Sequence, residues 1–244
     1  MNERTGGDRR RRGKPSASAA DAPKAPAKGA PVQPPPVTGA ARQILDAAAL
    51  LLREKGYEAT TLRAIAQTVG IKAGSVYHHY PSKDAIVQQV VNEGVRVVHE
   101  AVEAELTALP ASAGPVERLE AAIRGHLLSS LQHSNYTSAS IRAFTFLPAN
   151  VREGCRKARK DYEAIWCGIV ADAAKAGLLP ADASEDAVRL LLLGAVNWAG
   201  EWYRADGRLA IDKIASDFAT SVFQPRGGSR NRRKFQRPSG ATSR

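Results

Sequence analysis

A chain of 244 residues, 43% hydrophobic and 24% charged, is long enough for one large domain or two smaller ones with cores of their own. Its formal charge of +11 is concentrated at the ends: residues 1–37 hold 8 Lys/Arg and 3 Asp/Glu, residues 224–244 hold 7 Lys/Arg and no acid, and the body keeps 20 basic and 21 acidic residues. A nearly neutral body must recognise an acidic partner through a few placed residues, while the tails add salt-dependent attraction that reads no sequence. Cys155 and Cys167 are too few and too far apart for a disulfide framework or a zinc site and read as free thiols in a reducing cytosol. No apolar run reaches 18 residues and no apolar stretch follows the N-terminal charges, so a cytoplasmic protein with no membrane span is expected.

In chain order, residues 1–37 combine Arg9 to Arg12 with an Ala/Pro/Ser/Lys tract ending in Pro34-Pro35-Pro36, and carry almost no large apolar side chain to offset the entropy of ordering. A disordered basic tail is expected, its arginines either touching DNA phosphates or simply solvated. Residues 40–55 hold good helix formers with Ile44, Leu45, Ala48, Leu51 and Leu52 on one side, and Gly56-Tyr57 ends that helix. Thr60 and Thr61 then stand before Leu62, Ile65, Ala66 and Val69, spaced for one buried helical face, and Gly70 follows where a left-handed residue would close the helix. A second short segment, residues 72–80, places Val76 and Tyr80 one helical step apart and leaves small, polar and phenolic groups facing out. Two short helices across a glycine-containing turn form the helix-turn-helix pattern, whose second helix enters the DNA major groove.

At these residues the chain resembles the DNA-binding domain of the TetR family of bacterial transcriptional regulators. The likeness runs from about residue 38 to 98 and rests on Ile44, Ala48, Gly56-Tyr57, Thr60-Thr61, Ile65-Ala66, Gly70, Ser75, Tyr77-His78-His79-Tyr80 and Ser82-Lys83. Lys72 and Ala73 stand where many relatives carry small hydroxyl residues, so no operator sequence carries over. The resemblance implies that Thr60, Thr61, Lys72, Ala73, Gly74, Ser75, Tyr77, His78 and Lys83 lie at or near DNA. By reach, the threonine hydroxyls, Tyr77, His78 and Lys83 suit phosphates. Lys72, Ala73 and Ser75, early in the recognition helix, suit base edges, and Gly74 admits close backbone approach. Tyr57 and Tyr80 read as core.

Beyond Pro81, Ser82 caps a helix over 83–106 with Asp84 in its first turn, a connector of about 35 Å. Every later segment has a helical period: Pro115 opens a helix to about 132, others cover 137–146 and 150–176, Ser184 caps one to about 205 ended by Asp206-Gly207, and the last spans 211–223. The expected fold is all-α: a helix-turn-helix domain (38–98, motif 61–80), a long connecting helix, a helical ligand-binding and dimerisation domain (99–223), and a basic tail (224–244). Residues 188–203 are apolar around most of their circumference, so a second subunit is the natural cover. The family resemblance implies a homodimer through the helices at 184–205 and 211–223, and a pair of recognition helices reading a palindromic operator.

In this family the helical domain usually encloses a small-molecule pocket whose occupant turns the connecting helix and releases DNA. Pocket candidates are His126, Arg142, Phe144, Phe146, Trp166, Asn197, Trp198 and Trp202, residue types that equally build cores and interfaces. The run from Asn197 to Arg204 is similar to a branch that represses lipid and steroid catabolism and responds to acyl-coenzyme A esters. Arg142, Arg152, Arg156, Lys157, Arg159 and Lys160 would supply charge to such a ligand, or the run from Arg156 to Lys160 forms a solvated helix face. Adjacent His78 and His79 point about 100° apart on a helix and complete no ligand spacing, so no metal is expected. There is no Gly-x-Ser-x-Gly, Walker loop or Gly-x-Gly-x-x-Gly, and no catalytic residue or cofactor is expected. The sequence therefore reads as a DNA-binding transcriptional repressor released by a small-molecule effector, the rival being a non-specific nucleoid-type protein acting through its tails.

Overall fold

A computed structural model of the chain describes residues 39–133, 135–180 and 182–223. The two basic tails, 1–37 and 224–244, lie outside them. The described residues form nine α-helices and no strand. The first four are α1 (Gly39–Ala59), α2 (Leu62–Val69), α3 (Ala73–Tyr77) and α4 (Lys83–Thr107). They are followed by α5 (Pro115–Leu128), α6 (Asn135–Ala143), α7 (Ala149–Lys175), α8 (Glu185–Trp202) and α9 (Ile211–Val222).

Local chemistry sets most boundaries. The Thr61 hydroxyl accepts from the Ala64 amide at the start of α2, and the Ser82 hydroxyl accepts from Ala85 at the start of α4, each satisfying an amide that the helix leaves open. Asp84 lies in the first turn of α4, and Pro115 occupies the first turn of α5. Gly70, at φ 79, closes α2 as its position predicts.

Gly56 breaks α1 where the sequence places the end of that helix: at φ 76 its backbone is non-helical, and one further turn follows it to Ala59. Three other boundaries differ from the sequence reading. α5 becomes a π-helical turn over Ser129–His133, and α6 tightens into a 3-10 turn over Phe144–Phe146. α8 stops at Trp202 because Tyr203 is already extended, at ψ 137, ahead of the Asp206-Gly207 pair.

Among the described residues two apolar cores form. Ile44, Leu45 and Leu52 of α1, Ile65 of α2, Val76 of α3 and Ile86, Val87 and Val90 of α4 build the first, joined by Tyr136 and Ala139 of α6 and Val151 and Cys155 of α7. The second gathers Val95, Val98 and Val102 of α4 with Leu119 and Ile123 of α5, Trp166 and Ile169 of α7, Leu192 and Val196 of α8, and Ile214 of α9. Helix α4 thus belongs to both, and its 25 residues extend about 37 Å. Polar ties support the joint: Tyr136 donates to Asp46 at 2.6 Å, and Asp84 accepts from Tyr57 at 2.5 Å and from Asn150 at 2.9 Å.

Candidate functional site

The outward surface of the helix-turn-helix is held from behind. Val76 is fully buried and Tyr80 nearly so, its hydroxyl donating to the Ala41 carbonyl, so α3 packs on α2 and the residues just after it are tied to α1. That leaves Lys72, Ala73, Gly74, Tyr77 and His78 exposed and Ser75 half-buried. Tyr77 is 60% exposed, a large phenolic ring in water with no core role. Lys72 stands at the N-cap of α3 in extended conformation, ahead of the helix. Lys83 sits with its ammonium 3.7 Å from the Tyr57 ring centre, a cation–π contact that aims it beside the α4 N-terminus.

One sequence expectation changes here. Thr60 is fully buried and its hydroxyl donates to the Gly56 carbonyl at 2.7 Å, so it closes the α1 kink and is turned away from solvent; Thr61 is exposed and caps α2. Tyr57 packs half-buried at the edge of the first core, and its hydroxyl, its pKa pushed up to about 12 by burial and by the Asp84 carboxylate, ties α1 to α4. Arg63, exposed on α2 two residues after the capping threonine, is a cation on the same surface that the sequence reading passed over. Its signal was present, because it falls between the apolar positions Leu62 and Ile65.

A separate cavity of about 270 Å³ lies among α4, α5, α6, α7 and α8. Val95 and Val98 form its α4 wall, and His126, Tyr162, Arg159, Glu163, Arg189 and Asn197 bring most of its polar groups. His126 is 1% exposed, with Nδ1 2.7 Å from the Tyr162 hydroxyl. Burial alone pushes its pKa down to about 4, so the ring is neutral at ordinary pH. Arg159 stacks on Phe144 at 3.8 Å, and burial lowers its pKa from the usual arginine value. Its neighbours Arg152, Arg156 and Lys160 are exposed and line an outer cleft with Phe144; Arg159 and Glu163 border both the cleft and the cavity.

Of the predicted pocket residues, His126 and Asn197 line the cavity. Trp166 does not: it is fully buried behind His126 and Tyr162, packed edge-on against both rings. Arg142 is engaged by Glu201 at 2.6 Å across α6 and α8, and Phe144 lies in the outer cleft under Arg159. Phe146, 76% exposed, ends the 3-10 turn pointing into solvent. Trp198 and Trp202, 65% and 39% exposed, lie on the outer side of α8 in one stripe with Ala187, Leu191 and Gly194. The outer face of α9 is polar, with Asp212, Lys213, Asp217 and Thr220, because Ile214 and Ala215 turn inward toward α5.

The sequence candidates omit Tyr162, Glu163 and Arg189, and name Arg159 only among the arginines that would charge a ligand or form a solvated face, not as a cavity wall. Val151, Cys155, Tyr162, Trp166 and Ile169 share the buried face of α7, and Arg159 falls four residues after Cys155 on that face. A lone arginine on an otherwise apolar face was the available signal. Among the described residues no group of three or more His, Cys, Asp or Glu is placed to hold a metal, and no helix is long and apolar enough to cross a membrane.

Comparison with known proteins meets this geometry at both ends. Residues 44–90 match the model described as bacterial regulatory proteins, tetR family, and residues 112–225 match that of the tetracyclin repressor-like C-terminal domain. The HTH-type transcriptional repressor KstR2 of Rhodococcus jostii strain RHA1 is 24% identical over 203 residues, 78% of this chain and 95% of that protein. The crystal structure of AibR in complex with isovaleryl coenzyme A and operator DNA is 27% identical, covers 75% of this chain and 98% of its own, and superposes with a TM-score of 0.66. The crystal structure of superantigen PfiT is 31% identical, covers 74% of this chain and 94% of its own, and has a TM-score of 0.61. With the helix-turn-helix matched at one end and the cavity-bearing half at the other, this chain belongs to the TetR family of bacterial transcriptional regulators.

Proposed function

We propose that the protein is a cytoplasmic, homodimeric repressor that holds a palindromic operator with two copies of α3 and lets go when an acyl-coenzyme A ester enters the cavity. The observation that carries this reading is α4: one continuous helix whose N-terminus presents Lys83 beside the DNA-facing surface and whose middle, Val95 and Val98, forms a cavity wall. A ligand that displaces that wall turns a rigid rod, and the rod moves the reader. Asp84 strengthens the link, since it accepts from Tyr57 on the DNA side and from Asn150 at the start of α7, the helix that carries Arg159.

In this reading residues 38–98 carry the DNA reader, with Val95 and Val98 at its end already walling the cavity, and 99–223 supply the rest of the effector and partner surfaces. Thr61, Tyr77, His78 and Lys83 contact phosphates and set register; Lys72, Ala73 and Ser75 read base edges beside the close-lying backbone of Gly74. The cavity sits just under the usual range of about 300–1,000 Å³ for ligand pockets, which suits a short acyl group. The coenzyme's phosphates then lie over Arg152, Arg156 and Lys160 in the adjoining cleft. AibR, crystallised with isovaleryl coenzyme A and operator DNA, supports the same division of labour. The α8 stripe of Leu191, Trp198 and Trp202 is the dimer contact.

The test is selection of bound fragments from random DNA with the full chain, followed by titration of the complex with isovaleryl-CoA and a series of short acyl-CoA esters. A palindromic consensus and release by one of the esters are expected. Binding without sequence preference would refute the repressor reading, and an operator complex indifferent to every ester would refute the effector class.

A further inference from the structure

The buried end of the effector can be assigned from the unmatched groups of the cavity wall, an inference that rests on the effector reading above. His126 is the first. Its neutral ring carries one proton, and Tyr162, whose hydroxyl stays protonated because burial raises its pKa, lies 2.7 Å from Nδ1. If Tyr162 donates to Nδ1, a single N–H at Nε2 is left over; the opposite tautomer strands both the tyrosine proton and a nitrogen lone pair. Nε2 is buried with no partner among the described residues, so the arrangement that leaves fewest groups unmatched makes it a donor in want of an acceptor.

Arg189 is the second. Its Nε is also buried without a partner among the described residues, while its terminal nitrogens reach Glu163 at 3.5 Å and the exposed Asp186 at 3.3 Å. Arg159 completes the set, reaching the same Glu163 at 3.9 Å. Close N⁺–H···O⁻ contacts measure about 2.7–2.9 Å, so two arginines share one loosely held carboxylate. All these residues line one cavity, which thus offers N–H donors and positive charge in excess of acceptors. Plain hydrocarbon would leave those donors unmatched, each at a real cost.

We propose that the effector's acyl group ends in a carboxylate, which takes the place of Glu163 between Arg159 and Arg189 and accepts a hydrogen bond from His126 Nε2. The ligand class is a short ω-carboxyacyl thioester, the half-ester of a dicarboxylic acid. Glu163, half-exposed where cavity meets cleft, is the resident counter-ion that the ligand displaces.

The experiment compares glutaryl-CoA with 5-methylhexanoyl-CoA, in which a branched methyl pair replaces the carboxylate at the same size, by calorimetry on the full chain and by release of the selected operator. Glutaryl-CoA should bind about tenfold tighter or better, the gain expected of charge-assisted hydrogen bonds. Arg189→Gln should erase that preference. Glu163→Gln should tighten glutaryl-CoA by about threefold and leave the branched ester unchanged, a signature that damage to the fold would not produce. Equal affinities, a preference for the branched ester, or parallel losses for both esters in Glu163→Gln would overturn this proposal alone. Binding of neither ester or of any other acyl-CoA, by a protein that still selects its operator, would overturn the acyl-CoA reading and this proposal with it.

Discussion

Replacing Trp198 with alanine tests whether the outer stripe of α8 holds two copies together. A tryptophan side chain offers up to about 250 Å² of surface, and 65% of Trp198 is exposed in the single chain. Covering that area, about 160 Å², at about 25 cal/mol/Å² is worth about 4 kcal/mol per protomer and about 8 kcal/mol in a symmetric dimer, as an upper bound. Interface area converts to affinity incompletely, since ordering and imperfect packing take a share, so a net loss of about 3–4 kcal/mol is the expected effect. At 1.4 kcal/mol per tenfold, that weakens the dimer by about 10²–10³-fold. Sedimentation equilibrium over a concentration series reads this directly, with thermal unfolding at high concentration as a check that the chain still folds. A dimer constant within threefold of the parent protein would remove Trp198 from the interface and leave the stripe of Ala187, Leu191 and Gly194 without its anchor.

Other outcomes can be checked with the same protein. Tyr77→Ala should weaken binding to every duplex alike, because a phosphate contact carries no sequence information; a loss confined to one operator position in a binding-site series would move Tyr77 to the base-reading set. Lys72→Ala should instead relax preference at one position by about 1–3 kcal/mol, and a uniform loss would assign it to phosphate. Gly94→Ala drives a Cβ into the Tyr136 carbonyl oxygen and puts it 2.9 Å from Ser140 Cβ, so α4 and α6 must separate. Overpacking of that kind costs about 1–3 kcal/mol, and a melting temperature lowered by roughly 2–10 °C is expected. Asp84 is held below its ordinary pKa of 3.8, first by the Tyr57 hydrogen bond and then by that of Asn150. The folded chain therefore favours the ionised form: the stabilisation is complete above pH 3.8 and fades as pH falls through the lower folded value. Asp84→Asn should flatten that part of the acid limb in urea midpoints measured from pH 5 downward, and an unchanged slope would discount the tie.

Much of the architecture follows from nearest-neighbour chemistry. Thr61 and Ser82 cap, Gly70 turns left-handed, Pro115 and Pro148 open or precede helices, and the apolar spacing of Ile65, Val76 and Ile214 names their inward faces. These choices are made within a turn or two of helix, so they can be read along the chain. The helix-turn-helix and the family resemblance it carries were legible for the same reason. What sequence alone could not decide was how a side chain's neighbours, distant in the chain, dispose of its polar atoms. Thr60 and Thr61 are adjacent and chemically identical, yet the kink at Gly56 turns one hydroxyl inward and leaves the other as a cap. Arg156 and Arg159 stand three residues apart, but only Arg159 reaches the cavity, beside Glu163 and over the ring of Phe144. The aromatic residues drawn to a pocket by type divided among core, solvent and the outer stripe of α8, because apolar area is satisfied equally well by any of those covers. The cavity belongs to the tertiary structure alone: it exists where five helices fail to close, and its surplus of donors is set by partners that no local pattern records.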